Sequence, residues 1–135
     1  MADLSQTAAN VKVMSNTSPS VGLAGETLTQ GQPVYVSGGK WYRCEADSTA
    51  AKANCGGIVL TAAASDGYFL YAIPGASINV GATLAVGTVY AVSAAIGAIC
   101  PVADITSTQY VTVLGVATAA GTLPLNIIVS GVVVP

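Results

Sequence analysis

Two acidic residues, Glu45 and Asp47, are the nearest that this sequence comes to a pair of groups able to do chemistry. They lie two positions apart, so on a β-strand both side chains point to the same face. Carboxylates that share a face can form half of a glycosidase acid–base pair or a weak calcium site. The same spacing also describes the solvated edge of an ordinary strand. We expect Glu45 and Asp47 to lie on such a solvated strand edge, and we expect no catalytic and no metal-binding residue.

Other reactive groups are scarce. The sequence contains no histidine, which excludes Ser-His-Asp and Cys-His arrangements and removes a common metal ligand. The segment SGGK (37–40) lacks the spacing of a phosphate-binding loop. Four basic residues against six acidic ones provide no cationic surface for nucleic acid. We therefore expect no enzyme activity, no cofactor and no nucleic-acid partner.

The three cysteines, Cys44, Cys55 and Cys100, cannot all pair within one chain, and their spacing matches no metal-binding motif. We expect small buried side chains with free thiols. A bridge between Cys44 and Cys100 is the alternative, although a reducing cytoplasm opposes it.

Short runs rich in β-branched and aromatic residues recur between Gly, Pro, Ser and Asp. This spacing favours an all-β fold, an antiparallel and jelly-roll-like β-sandwich or barrel. SGGK then forms a hairpin tip in which Gly38 and Gly39 adopt positive φ. The Ala-rich segment 48–54 is expected to make one helical turn at most. The predicted strands are 33–37, 41–46, 57–62, 68–73, 88–93, 98–102, 110–117 and 123–130.

The chain repeats itself. GETLTQGQPVYV (25–36) is echoed by GATLAVGTVYAV (81–92), and Cys44 and Cys100 follow at the same distance. A unit of this size usually needs its copy to close a core. We predict one β domain over 22–135, made of pseudo-repeats 22–78 and 79–135, with four strands from each. An extended N-terminal arm, residues 1–21, precedes this domain.

The composition predicts a surface that other molecules cover. Only 7% of the residues are charged, against about 25% in ordinary globular chains. The segments 67–103 and 105–135 carry no formal charge, and strands such as 110–117 and those in 125–135 are apolar on both faces. Such strands lie between two layers or beneath a neighbouring subunit. We therefore expect assembly with other proteins.

A membrane is the other candidate cover, and the sequence opposes it. The most apolar window, 84–103, contains Gly87, Gly97 and Pro101, and it has no flanking Lys or Arg to orient a span. The N-terminal residues lack the basic and apolar regions of a signal peptide. We expect no membrane partner, and synthesis and residence in the cytoplasm.

The first twenty residues are polar and have little strand pattern before Val11. They form either a disordered tail or an arm that lies on an adjacent subunit. Aromatic residues cluster in the first unit, where they serve either the core or an interface. The candidate interface residues are therefore taken from the arm, the aromatic cluster and the C-terminal valines: Val11, Val13, Met14, Trp41, Tyr42, Tyr68, Tyr71, Val132, Val133 and Val134.

Several segments together resemble the capsid cement (head decoration) proteins of tailed bacteriophages. They are GETLTQGQPVYV with GKWYRCEAD, GIVLTAAA, GATLAVGTVYAVS with GAICPVAD, and YVTVLGVATAAGTLPLNIIVSGVVVP, which together run from Gly25 to Pro135. The resemblance implies a small all-β protein on the outside of the head shell. Such a protein binds the major capsid protein and its own copies and stabilises the shell. The family has no catalytic motif to carry over.

The expected function is thus that of a structural virion protein, located on the capsid surface after assembly in the host cytoplasm. A trimer would suit three-fold positions of an icosahedral shell, and a dimer stays open. Two alternatives remain: a phage tail or fibre module, and a carbohydrate-binding or hydrolytic β-sandwich that uses Glu45 and Asp47.

Overall fold

A computed structural model describes residues 3–15 and 18–133 of the chain. Its strands form three antiparallel sheets, which confirms the all-β, sandwich-type fold predicted from the sequence. Within the described residues, no helix has both the length and the apolar composition to cross a membrane. The strands are β1 (Lys12–Val13), β2 (Ser20–Leu23), β3 (Pro33–Ser37), β4 (Lys40–Arg43), β5 (Gly57–Val59), β6 (Tyr68–Ala72), β7 (Ser77–Asn79), β8 (Val89–Val92), β9 (Ile99–Pro101), β10 (Tyr110–Val116), β11 (Leu123–Pro124) and β12 (Ile128–Val133).

The five-stranded sheet has the order β2-β6-β5-β3-β4. Its β3–β4 hairpin turns at Gly38 and Gly39, whose φ angles of 60° and 82° are those that a tight hairpin tip requires. The two outer strands of the sheet approach each other, because Ala24 forms a parallel bridge with Trp41 and the Gly25 N–H donates to the Trp41 carbonyl at 2.8 Å. The sheet is therefore curled nearly into a closed ring.

The four-stranded sheet has the order β12-β10-β8-β9, and the third sheet has the order β1-β7-β11. β10 is held by Thr112, a fully buried residue whose hydroxyl donates to the carbonyl of Ala53. Because that hydroxyl would be costly to bury without a partner, the bond ties β10 to the loop before β5. β10 in turn positions β12 at the edge of the sheet.

The strands predicted in the two pseudo-repeats follow the same order across the two larger sheets. That order is β6-β5-β3-β4 in one sheet and β12-β10-β8-β9 in the other. The lengths differ, since β5 has three residues and β10 has seven, and β10 shows register shifts against both neighbours. The tandem repeat therefore stays a prediction from the sequence.

Two apolar cores hold the sheets together. The larger core draws on all three sheets, with Ile58, Ile78 and Leu114 completely buried in it. The smaller core lies inside the curled five-stranded sheet and contains Val59 and Phe69. Ile58 and Val59 are neighbours in β5, so their side chains point to opposite faces. β5 therefore separates the two cores.

The predicted strand 123–130 is two strands, β11 and β12, which belong to different sheets. The chain breaks at Leu125, whose side chain is buried and whose N–H donates to the Ala76 carbonyl at 2.7 Å. The Leu125 carbonyl accepts from Gly75, also at 2.7 Å. These bonds to the loop before β7 turn the chain between the two sheets. β1, β2 and β7 were not predicted, because two to four residues are too few to show an alternating pattern.

Candidate assembly surface

β12 is the outermost strand of the four-stranded sheet, and its residues are largely exposed. Ile128, Val129 and Val132 are 56%, 39% and 63% exposed. Ile128 and Val129 are neighbours in the strand, so they project from opposite faces of the sheet. β12 thus presents apolar side chains to solvent on both faces. Its outer backbone edge pairs with no other strand of the described residues.

The position of β12 is set by its antiparallel pairing with β10. Ile128 and Val129 lie opposite Val113 and Thr112, and the register then shifts before Val133 pairs with Tyr110. At this shift, the Ser130 hydroxyl donates to the Val111 carbonyl at 2.6 Å, and Gly131 adopts a φ of 66°. A glycine suits the left-handed conformation of the bulge. The pairing with β10, the Ser130 bond and the Gly131 conformation therefore hold β12 in place although its side chains are exposed.

An apolar groove of about 470 Å³ lies beside β12 on the four-stranded sheet. In its lining, the β10 and β11 backbones approach closely at Gly115, where a Cβ would collide with the carbonyl oxygen of Pro124. Ile128 belongs both to β12 and to the groove, so the two form one continuous surface. We call β12 and this groove the β12 surface; the groove is lined by Val89, Val113, Gly115, Val116, Thr118, Pro124, Asn126 and Ile128.

A second apolar area lies on the five-stranded sheet, where β2 pairs with β6. Val21 is 64% exposed and Tyr68 is 76% exposed. Leu23 lies opposite Tyr68 and Val21 lies opposite Leu70, so alternation places all four side chains on one face. We call these four residues the β2–β6 face.

The residues of the β12 surface lie in two stretches without charged side chains, since 67–103 and 105–135 contain no Asp, Glu, Lys or Arg. The ion pairs of the described residues are instead in the first half of the chain. They join Lys40 to Asp66 at 2.7 Å, Arg43 to Glu26 at 3.2 Å and Lys52 to Glu45 at 3.6 Å. A partner of the β12 surface therefore meets a neutral, apolar face.

The predicted aromatic interface residues divide into two groups. Trp41 and Tyr71 are half-buried, with ring centroids 4.4 Å apart, and both pack against the smaller core around Phe69. Tyr42 is half-buried as well. Tyr68 projects into solvent, so it is the member of the cluster that is free to contact a partner. Pattern alone could not separate these residues, because the separation depends on which face of each strand meets the core.

The predicted interface residues of the arm and the C-terminus are also placed differently from one another. Val11 is buried and Val13 is half-buried against the larger core, whereas Met14 is exposed. Val133 is half-buried at the end of β12, and Val134 lies outside the described residues. The sequence did not single out Val21, Ile128 or Val129 individually, although it marked the apolar stretch that contains the last two.

Glu45 and Asp47, the acidic pair considered as a possible catalytic or calcium site, do not lie together on one face of a strand. β4 ends at Arg43, so Glu45 and Asp47 follow the strand instead of sharing one of its faces. Glu45 forms its ion pair with Lys52, and Asp47 is exposed. Across 3–15 and 18–133, no cluster of three or more His, Cys, Asp or Glu residues is placed to hold a metal ion.

Comparison with known proteins adds no assignment. No family model matches this chain, and no curated protein matches it.

Proposed function

We propose that this protein is a structural virion protein, a capsid cement protein that binds the outside of a phage head shell. Its partners are the major capsid protein and further copies of itself, and its place is the capsid surface, after assembly in the host cytoplasm. The proposal draws on the sequence resemblance from Gly25 to Pro135. The observation that carries it is the solvent exposure of two separate apolar surfaces, the β12 surface and the β2–β6 face.

Two apolar surfaces suit a protein that must contact neighbours of more than one kind. Exposed apolar patches on soluble proteins commonly mark sites of protein–protein interaction. Neutral faces also avoid the cost of burying unpaired charges, so many copies can bind without a charged partner at each contact. The three-sheet architecture and its shared core supply a rigid body that can carry load between such contacts.

The proposal is tested by adding the purified protein to expanded heads of its phage that lack a decoration protein. We expect saturable binding, at a copy number that matches lattice positions, and heads that withstand more heating before they release DNA. The Tyr68→Lys variant should bind at least about tenfold more weakly, because it places a charge in the β2–β6 face. Ser48→Lys, which adds the same charge to an exposed loop position, is the matched control.

Two results would contradict the proposal. One is an absence of binding to heads together with binding to purified tails or fibres, which favours the tail or fibre module. The other is binding in a glycan panel that disappears in Glu45→Ala, which favours the carbohydrate-binding sandwich.

A further inference from the structure

The outer edges of the two larger sheets are covered in different ways. In the five-stranded sheet, β2 and β4 approach each other through the Ala24–Trp41 bridge. In the four-stranded sheet, the β9 end is covered by the arm, because the Leu4 N–H donates to the Ile99 carbonyl at 2.8 Å. β12 is the outermost strand at the opposite end of this sheet. Within the described residues, it pairs with β10 on one side and with no strand on the other.

β12 also lacks most of the features that keep edge strands from pairing. Natural edge strands are commonly blunted by Lys, by Pro, by charged side chains that point inward or by a covering loop. β12 contains none of these residue types, and its Ile128, Val129 and Val132 are exposed. Its irregularity is the bulge at Ser130 and Gly131, where the Val132 N–H donates to the Ser130 hydroxyl at 3.1 Å. Among the described residues, no strand other than β10 pairs with β12.

We propose that β12 pairs antiparallel with β12 of a second copy of this chain, joining two four-stranded sheets into one. The inference deepens the proposed function by naming the partner of the β12 surface, and it also holds for the isolated protein. A two-fold axis makes antiparallel pairing of identical strands self-complementary, because each strand offers its N–H and C=O groups to the same groups of its copy.

Charge supports a second copy as the partner. A two-fold contact sets β12 against an identical strand, so a charge near the axis would lie close to the same charge of the copy. β12 has no charged side chain, so this repulsion between side chains is absent from the contact. Each copy also contributes exposed apolar side chains on both faces of the strand, so the joined sheet buries apolar area above and below the new strand pair.

Sedimentation over a wide range of protein concentration tests the proposal with Val132→Lys and Val86→Lys. Val132 and Val86 are 63% and 67% exposed, so the two variants make the same chemical change at equal exposure, one in β12 and one in a loop. We expect a wild-type dimer whose dissociation constant rises more than about tenfold in Val132→Lys, because the charge enters the contact twice. Val86→Lys should match the wild type.

A second measurement distinguishes edge pairing from contact between faces. The backbone amides of β12 should exchange their hydrogens more slowly at concentrations where the dimer forms. In Val132→Lys they should exchange at the monomer rate at the concentrations where the wild type is a dimer. Circular dichroism and thermal unfolding of Val132→Lys should match the wild type, because the side chain is exposed.

Three results would overturn the inference. They are a wild type that is monomeric at every concentration, a dimer that both lysine variants weaken equally, and a dimer whose β12 amides are unprotected. If the wild type is monomeric while Val132→Lys loses binding to heads, the edge pairs with a capsid strand instead of a second copy. The inference then fails and the proposed function stands. If the wild type dimerises through β12 but does not bind heads, the inference stands and the proposed function fails.

Discussion

The three cysteines are buried, free thiols, as predicted from the sequence. Cys44 and Cys55 are adjacent in the larger core, and the Cys55 thiol donates to the Gly57 carbonyl at 3.3 Å. Burial raises the pKa of the Cys44 thiol, and hydrogen bonding to Cys55 adds to the effect. Burial also raises the pKa of the Cys100 thiol, to about 11, with Asp3 and Asp104 adding negative charge nearby. At neutral pH both thiols are held protonated and away from solvent.

A thiol reagent at pH 8 should therefore label the folded protein far more slowly than the unfolded protein, because the thiolate is the reactive form. The ordinary thiol pKa is 9.0, so between about pH 9 and about pH 11 the unfolded chain loses the Cys100 proton first. The free energy of unfolding should consequently fall across that interval. In Cys100→Ala the fall should be shallower. Rapid labelling of the native protein, or an unchanged slope in Cys100→Ala, would contradict the assigned burial.

Among the elements, the N-terminal arm makes contacts that the sequence did not specify. Residues 3–15 pack along the β domain of their own chain. β1 pairs with β7, and the Thr7 N–H donates to the Gly81 carbonyl at 2.6 Å. Gln6 donates from its side-chain nitrogen to the carbonyls of Gly31 and Val80 at 2.9 and 2.8 Å. The arm thus connects the third sheet with the loops before β3 and β8.

Gln6→Ala removes both of these side-chain bonds and leaves two part-buried carbonyls without them. We expect the free energy of unfolding to fall by about 1–3 kcal/mol, measured by chemical denaturation, with faster proteolysis within the arm. Gln109→Ala is the matched control, since the Gln109 side chain accepts an exposed local bond from Thr106. Equal stability of Gln6→Ala and Gln109→Ala would mean that the two Gln6 bonds contribute nothing measurable to the stability of the fold.

At the scale of the whole molecule, the larger core joins the two halves of the chain. Ile58 and Ala72 from the first predicted unit are buried together with Tyr90 and Leu114 from the second. Neither half can keep its apolar face covered if the other unfolds. We therefore predict a single cooperative unit, in which a cavity in one half lowers the stability of both.

Leu114→Ala tests this coupling, because Trp41 is the one tryptophan of the sequence and lies in the first unit. We expect the variant to lose about 2–5 kcal/mol of stability. Its denaturation curve by Trp41 fluorescence should shift as far as its curve by circular dichroism. The exposed Val86→Ala should shift neither curve. A Trp41 transition that stays at its wild-type midpoint while circular dichroism shifts would show two independently folding parts.

The amino-acid sequence alone determined the all-β class, the burial of the cysteines and the hairpin tip at Gly38 and Gly39. These features follow from local composition, alternation and backbone freedom, all of which can be read within a few residues. The same local reading located most of the longer strands and the apolar stretch that contains β12.

Only the tertiary structure decided which strands meet, and therefore which apolar residues stay exposed. Trp41 and Tyr68 look alike in the sequence, yet one packs against the smaller core and the other is in solvent. Leu125 turns into the larger core and divides one apolar run into β11 and β12. The outermost position of β12 in its sheet likewise depends on contacts between residues distant in the chain. Local patterns do not encode such contacts, because the energy of burial depends on the partner that supplies the other side.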